Sequence, residues 1–98
     1  MRPRSYRKKP VVIMAIQWLP GDLGAAGACV GWLMAAGVDF HHPSGLGDSI
    51  TLAIRTLEGE MVAQPGDWIL RGVMGEFYPC RADIFAATYE VIEDEEGC

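Results

Sequence analysis

The stretch Pro65-Gly66-Asp67-Trp68-Ile69-Leu70-Arg71-Gly72-Val73-Met74-Gly75-Glu76-Phe77-Tyr78-Pro79-Cys80-Arg81 decides the fold class. Pro65 and Gly66 suit successive positions of a tight turn, because proline presets φ and glycine accepts the left-handed conformation that follows. Two strand-like runs come next, Trp68 to Val73 and Glu76 to Arg81, with Gly75 suited to the left-handed position between them, so the segment reads as a β-hairpin. Strand alternation puts Ile69, Arg71 and Val73 on one face and Trp68, Leu70 and Gly72 on the other. Pro79 cannot donate a ladder hydrogen bond, which assigns the second strand to a sheet edge or a bulge.

Upstream of the hairpin, Ile50, Leu52 and Ile54 alternate with Thr51, Ala53 and Arg55 as in a half-buried strand. A turn at Leu57 to Glu60 leads to a short returning strand, Met61 to Gln64. Nearer the N-terminus, Val11 to Trp18 is almost unbroken β-branched and apolar sequence, which predicts a central strand covered on both faces. Pro20, Gly21 and Asp22 form a turn, with Asp22 placed to cap a helix from Leu23 to Ala36. Leu23, Ala26, Val30, Leu33 and Met34 make its apolar stripe, flanked by Ala25, Cys29, Trp32 and Ala36. Gly37 fits the helix C-terminus, and Asp39 to Asp48 reads as a loop. After the hairpin, Asp83 is placed to cap a helical turn through Ile84, Phe85 and Ala87, and Tyr89, Val91 and Ile92 suggest a last strand. The expectation is a single α+β domain over residues 1–98. It has a mostly antiparallel sheet of about five or six strands and one main apolar helix between the first and second strands. A basic arm over 1–5, for which disorder is one reading, and an acidic tail over 93–98 flank it.

The charge is unevenly placed. The chain of 98 residues has a formal net charge of -5, yet its first ten residues carry Arg2, Arg4, Arg7, Lys8 and Lys9 and no acid. The remainder sets Arg55, Arg71 and Arg81 against all 13 acidic side chains. So acidic a body repels a phosphate backbone, which disfavours general nucleic-acid binding and leaves only the arm or a local pocket for an anion. The arm has three readings: an anion-binding segment, a reach toward the acidic face of a neighbouring subunit, or plain disorder. The run Glu90, Glu93, Asp94, Glu95 and Glu96 reads as a solvated tail.

No secretory leader is expected from the short Val11 to Ile16 run, and the uncharged Leu23 to Gly37 segment is too short for a membrane span. The three cysteines, Cys29, Cys80 and Cys98, are odd in number and far apart, so neither a disulfide framework nor a structural zinc site is indicated, and a reducing cytoplasm fits. A domain of this size buries only roughly 60 to 65% of its unfolded surface, so a homo-oligomer is expected. The helix face with Gly27, Val30, Gly31, Leu33 and Met34 is the candidate subunit interface, since glycines four apart admit a close neighbour.

Catalytic signals are thin. His41 and His42 are adjacent and point to opposite sides of an extended chain, whereas Asp39 and His41 share a face that Asp48 could join around a metal. No nucleophile elbow, phosphate loop or dinucleotide fingerprint accompanies them. Glu58 and Glu60 flank a turn and read as solvated. Cys80 beside Arg81 has the charge for a reactive thiolate, but Phe77, Tyr78 and Pro79 favour an inert, buried thiol. No catalytic residue, metal or cofactor is therefore assigned. The more informative set is cationic and aromatic: Arg71 and Arg81 on one hairpin, with Trp18, Trp68, Tyr78 and Lys8 as further candidates. A guanidinium fork for phosphate with a ring for a base is what a nucleotide-like small molecule requires. The competing reading pairs the two arginines with Glu76, Asp83 or Glu90 and makes the tryptophans core anchors.

The pattern Tyr6-Arg7-Lys8-Lys9-Pro10-Val11-Val12-Ile13 through Trp18, Thr56-Leu57-Glu58-Gly59, Pro65-Gly66-Asp67-Trp68-Ile69, Gly75-Glu76-Phe77-Tyr78-Pro79-Cys80, Asp83-Ile84-Phe85 and Thr88-Tyr89-Glu90 resembles a family of small uncharacterised proteins of tailed bacteriophages and prophages. The stretch from Leu19 to Ser49 lies outside the resemblance. Met14 stands where the family often carries an acid, and Arg81-Ala82 where it carries Lys-Pro. The resemblance implies an accessory protein acting in the cytoplasm of an infected bacterium. Its leading implication is an anti-defence sponge that sequesters a nucleotide-derived immune signal, linear or cyclic, without chemistry, in pockets at subunit junctions. Alternatives are an acidic inhibitor or DNA mimic acting on a host protein, a small hydrolase of such a signal relying on Asp39, His41, His42 or Asp48, and a minor virion component.

Overall fold

The computed structural model describes residues 2–7 and 9–92, so Lys8 and the acidic tail over 93–98 lie outside the described residues. Its elements in chain order are β1 (Met14–Gln17), α1 (Leu23–Ala35), β2 (Phe40–His41), a single 3₁₀ turn (Gly47–Ser49), β3 (Leu52–Thr56), β4 (Gly59–Ala63), β5 (Trp68–Arg71), β6 (Phe77–Cys80) and α2 (Ala82–Thr88). The class is α+β, with six antiparallel strands and the main helix between the first two, as the sequence predicts. The strands divide into two three-stranded sheets, ordered β1-β5-β6 and β2-β3-β4, with β3 and β4 lying against β6. Among the described residues no helix is long and apolar enough to cross a membrane.

The hairpin forms as its turn residues require. Leu70 faces Tyr78 and Arg71 faces Phe77, the Gly72 N–H donates to the Glu76 carbonyl, and Gly75 adopts φ 85°. Pro79 sits on β6, an edge strand, as its missing donor demands. β1 is also an edge strand, which corrects the expectation of a central one: Val11 and Val12 are exposed, and only Met14 to Gln17 pair, with Arg71 to Trp68. At its end the Trp18 N–H donates to the Asp67 carbonyl and the Trp18 carbonyl accepts from Gly66.

The core gathers Trp18, Cys29, Leu33, Leu52, Ile54, Ala63, Ile69 and Phe77. From α1 it takes Cys29 and Leu33, with Ala26 and Val30 packed beside them, a stripe at spacings of three and four. Leu23 and Met34, expected in that stripe, are exposed. Asp22 caps α1 by accepting the Ala25 N–H at 3.1 Å. Trp32 meets the Phe77 ring edge-on at 5.0 Å between centroids, tying α1 to β6. Burial without competing charge pushes the Cys29 thiol up to about 11.

The opposite face of the first sheet is covered by α2. Trp68 stacks on Phe85 at 4.2 Å, and Phe85 meets Tyr89 at 5.2 Å. α2 runs through Thr88 with Arg81 at its N-cap position and Asp83 in its first turn, and residues 89–92 form no strand. Tyr89 is half-buried against Phe85, while Val91 and Ile92 are exposed and, among the described residues, pair with no strand. Phe40 and His41, expected in a loop, pair with Ile54 and Ala53 instead.

Candidate functional site

The ends of β3 and β5 follow one local pattern. Leu52-Ala53-Ile54-Arg55 and Trp68-Ile69-Leu70-Arg71 are each three inward or half-buried apolar residues followed by an exposed arginine. The core holds the apolar part of each strand and thereby fixes where the guanidinium begins. The two arginines line one cleft of about 250 Å³, with Thr56, Gly75, Glu76 and Phe77 among its walls. The Arg71 guanidinium lies over the Phe77 ring at 5.2 Å, a cation–π contact that orients it while leaving its N–H donors open. Neither Arg55 nor Arg71 makes an ion pair among the described residues. The carboxylate of Glu76 shares the cleft, but its Oε1 accepts the Met74 N–H at 3.0 Å and so closes the hairpin turn.

A second hollow of about 300 Å³ adjoins the first, sharing Thr56, Leu57, Glu76 and Phe77 and adding Glu58, Met61 and Tyr78. The combined feature is cationic at one end and apolar at the other. Carboxylates of Glu58 and Glu76 are available there as acceptors for amine or hydroxyl donors. Burial, together with a hydrogen bond to Tyr89 and nearby negative charge, pushes the Tyr78 hydroxyl up to about 12; that hydroxyl is engaged with Tyr89 on the α2 side of the sheet.

The residues nominated from the sequence are dispersed. Arg81 lies beyond Cys80, at the end of β6 opposite to Phe77 and Arg71, about 13 Å of strand away. It pairs with Asp83 at 2.8 Å on the surface, and in one chain it does not converge with Arg71. Trp18 is 2% exposed, donates its indole N–H to the Ile50 carbonyl at 2.8 Å and stacks on His42 at 5.7 Å, so it is a core anchor rather than an open plate. Trp68 and Tyr78 occupy the sheet face toward α2, opposite to Arg71, and the free face of Trp68 is taken by Phe85. Of the nominated set, Arg71 and Tyr78 border the paired hollows. Arg55 does not stand out in its local sequence, because its role depends on a neighbour 16 positions away; the repeated apolar-apolar-apolar-Arg ending is the signal that marks it.

On α1, Gly27 and Gly31 lie on the exposed side with open space around them, and Met34 is exposed beside them. Leu33 is fully buried and Val30 half-buried against the same core, so neither faces outward to a second subunit. In the histidine segment, His41 Nε2 lies 3.7 Å from Glu60, and His42 Nδ1 lies 3.1 Å from the Thr51 carbonyl. No group of three metal-ligating side chains occurs among the described residues. A further hollow of about 260 Å³, bordered by Ile13, Trp68, Phe85 and Tyr89, is apolar apart from Glu90 and offers no counter-charge for phosphate. Set against family models, curated proteins and solved structures, the chain matches none.

Proposed function

We propose that this protein is a non-catalytic binder of a small nucleotide-derived anion, held in the paired hollows between the ends of β3, β5 and β6. The observation that carries the reading is the presence of two guanidiniums, Arg55 and Arg71, in one cleft with no carboxylate ion-paired to either among the described residues. Isolated arginines in an otherwise acidic body are effective only where a local arrangement overcomes the surrounding repulsion, and planar guanidiniums match phosphate oxygens in two-point contacts. Phosphate at the arginine end directs the rest of the ligand toward Leu57 and Met61, where an apolar wall receives a base and Glu58 accepts from its amine. Together with the resemblance to phage accessory proteins, this supports sequestration of a nucleotide-derived immune signal inside an infected bacterium.

Native mass spectrometry with linear and cyclic nucleotides tests the reading. Expected is one bound ligand per chain, recovered chemically intact after prolonged incubation, with affinity reduced at least tenfold by Arg55→Ala or Arg71→Ala and unchanged by Arg81→Ala. Absence of binding across the panel, or binding indifferent to Arg55 and Arg71, overturns it and redirects attention to an acidic surface acting on a host protein. Conversion of the ligand overturns the non-catalytic part.

A further inference from the structure

The edges of the two sheets are not equally protected. β6 carries Pro79 and lies against β3 and β4, β2 is two residues long, and β4 carries the exposed Glu60. Short strands, prolines, charges and covering elements all blunt an edge against further pairing. β1 carries neither charge nor proline in Met14-Ala15-Ile16-Gln17, and among the described residues its outer side meets no strand; the 89–92 segment borders Val11 to Ala15 across a hollow. Trp18 directs both its N–H and its carbonyl toward β5 and the turn before it, so by antiparallel alternation Ile13, Ala15 and Gln17 direct theirs outward. Val12 and Met14, immediately beside this edge, are 72% and 64% exposed.

We propose that the open edge of β1 is a homodimer interface, in which β1 pairs antiparallel with β1 of a second copy about a two-fold axis at Ala15. Ala15 then faces Ala15 of the other copy, and Ile13 faces Gln17 in both directions, giving about six inter-chain backbone hydrogen bonds and one continuous six-stranded sheet. Charge selects a second copy as the occupant. In antiparallel pairing the segment preceding β1 in one copy runs along the end of β1 in the other, so Arg7 and Lys9 arrive at the turn from Pro20 to Asp22. Three acids gather there: Asp22 itself, Asp48 against Gly21, and Asp67, whose carbonyl binds the Trp18 N–H. Arg2, Arg4, Arg7 and Lys9 are exposed and make no ion pair within their own chain among the described residues. The basic arm and the acidic end of the same edge are therefore self-complementary under a two-fold, as an isologous contact requires. The ligand cleft borders the same sheet through Arg71, the cross-strand partner of Met14, but none of its lining residues belongs to β1, so the interface and the cleft are read by separate assays.

Sedimentation equilibrium on the whole chain, at low and high salt, tests the proposal. Expected is a dimer whose dissociation constant rises with salt, because exposed charge pairs are screened. The double substitution Val12→Lys, Met14→Lys sets four like charges along the axis and should raise that constant more than tenfold with an unchanged far-ultraviolet circular dichroism spectrum. Arg7→Glu with Lys9→Glu, remote from the packed core, should weaken the dimer and flatten its salt dependence. Gly31→Arg, on the exposed side of α1, should leave it intact. A monomer at every concentration overturns the proposal. So does a dimer lost with Gly31→Arg but retained in the Val12, Met14 variant. If that variant fails to fold, the Arg7, Lys9 pair decides: an unweakened dimer overturns the proposal.

Discussion

Replacing Trp18 by Phe separates a core anchor from a ligand platform. Trp18 is 2% exposed and its indole N–H satisfies the Ile50 carbonyl at 2.8 Å. Phenylalanine keeps one ring but leaves that part-buried carbonyl without its donor, which costs about 1 to 3 kcal/mol. The missing portion of the indole leaves a small void worth about 1 kcal/mol more. A total loss of about 2 to 4 kcal/mol is a large fraction of the roughly 5 to 15 kcal/mol expected for a domain of this size. Urea unfolding followed by far-ultraviolet circular dichroism should show the midpoint fall by about 1 to 3 M with an unchanged slope. Well below that midpoint, nucleotide affinity should match the wild type. A stable Trp18→Phe protein that has lost ligand affinity would refute the assignment of Trp18 to the core and restore it as a stacking plate.

Other expectations concern single positions. Gly45→Ala should destabilise by more than about 2 kcal/mol, measured by the same unfolding curve, because Gly45 adopts φ 92° and a Cβ there meets the Ser49 backbone. Arg81→Ala should change stability by less than about 0.5 kcal/mol, since its partnership with Asp83 is 70% and 66% exposed. Stability should fall as pH rises from about 9 to 12. Cys29 and Tyr78 are held protonated in the fold up to about 11 and 12, so the unfolded chain releases protons in that window that the folded chain keeps. Tyr78→Phe should flatten the upper part of the decline. In the native protein Cys29 should resist a thiol reagent at neutral pH and react only on unfolding, read as delayed labelling by mass spectrometry.

What the sequence made legible follows from how local each signal is. The β5–β6 hairpin is readable because its turn depends on Gly75 and its edge position on Pro79, both properties of single residues. The α1 cap is readable for the same reason, Asp22 lying three residues before the N–H that it accepts. Val11 to Trp18 misleads because a continuous apolar run does not state whether a second layer exists to cover it, and Val11 and Val12 remain exposed. The strand expected through Val91 and Ile92 misleads likewise: the alternation is present, the partner is not. β2 is two residues long, below any period that a pattern can register. The site was half legible. Arg71 stood out as a cation within an apolar strand, but its convergence with Arg55 depends on how β3 and β5 are brought together by the core, a tertiary fact that strand alternation does not contain.

The most direct measurement of the central claim is a titration of the protein, carrying isotope-labelled arginine, with nucleotides while the arginine side-chain Nε–H resonances are followed by NMR. The account predicts that the Arg55 and Arg71 signals shift together along one saturating curve while Arg81 stays in place. Saturation with both signals unmoved, or with Arg81 shifting in their stead, would contradict it.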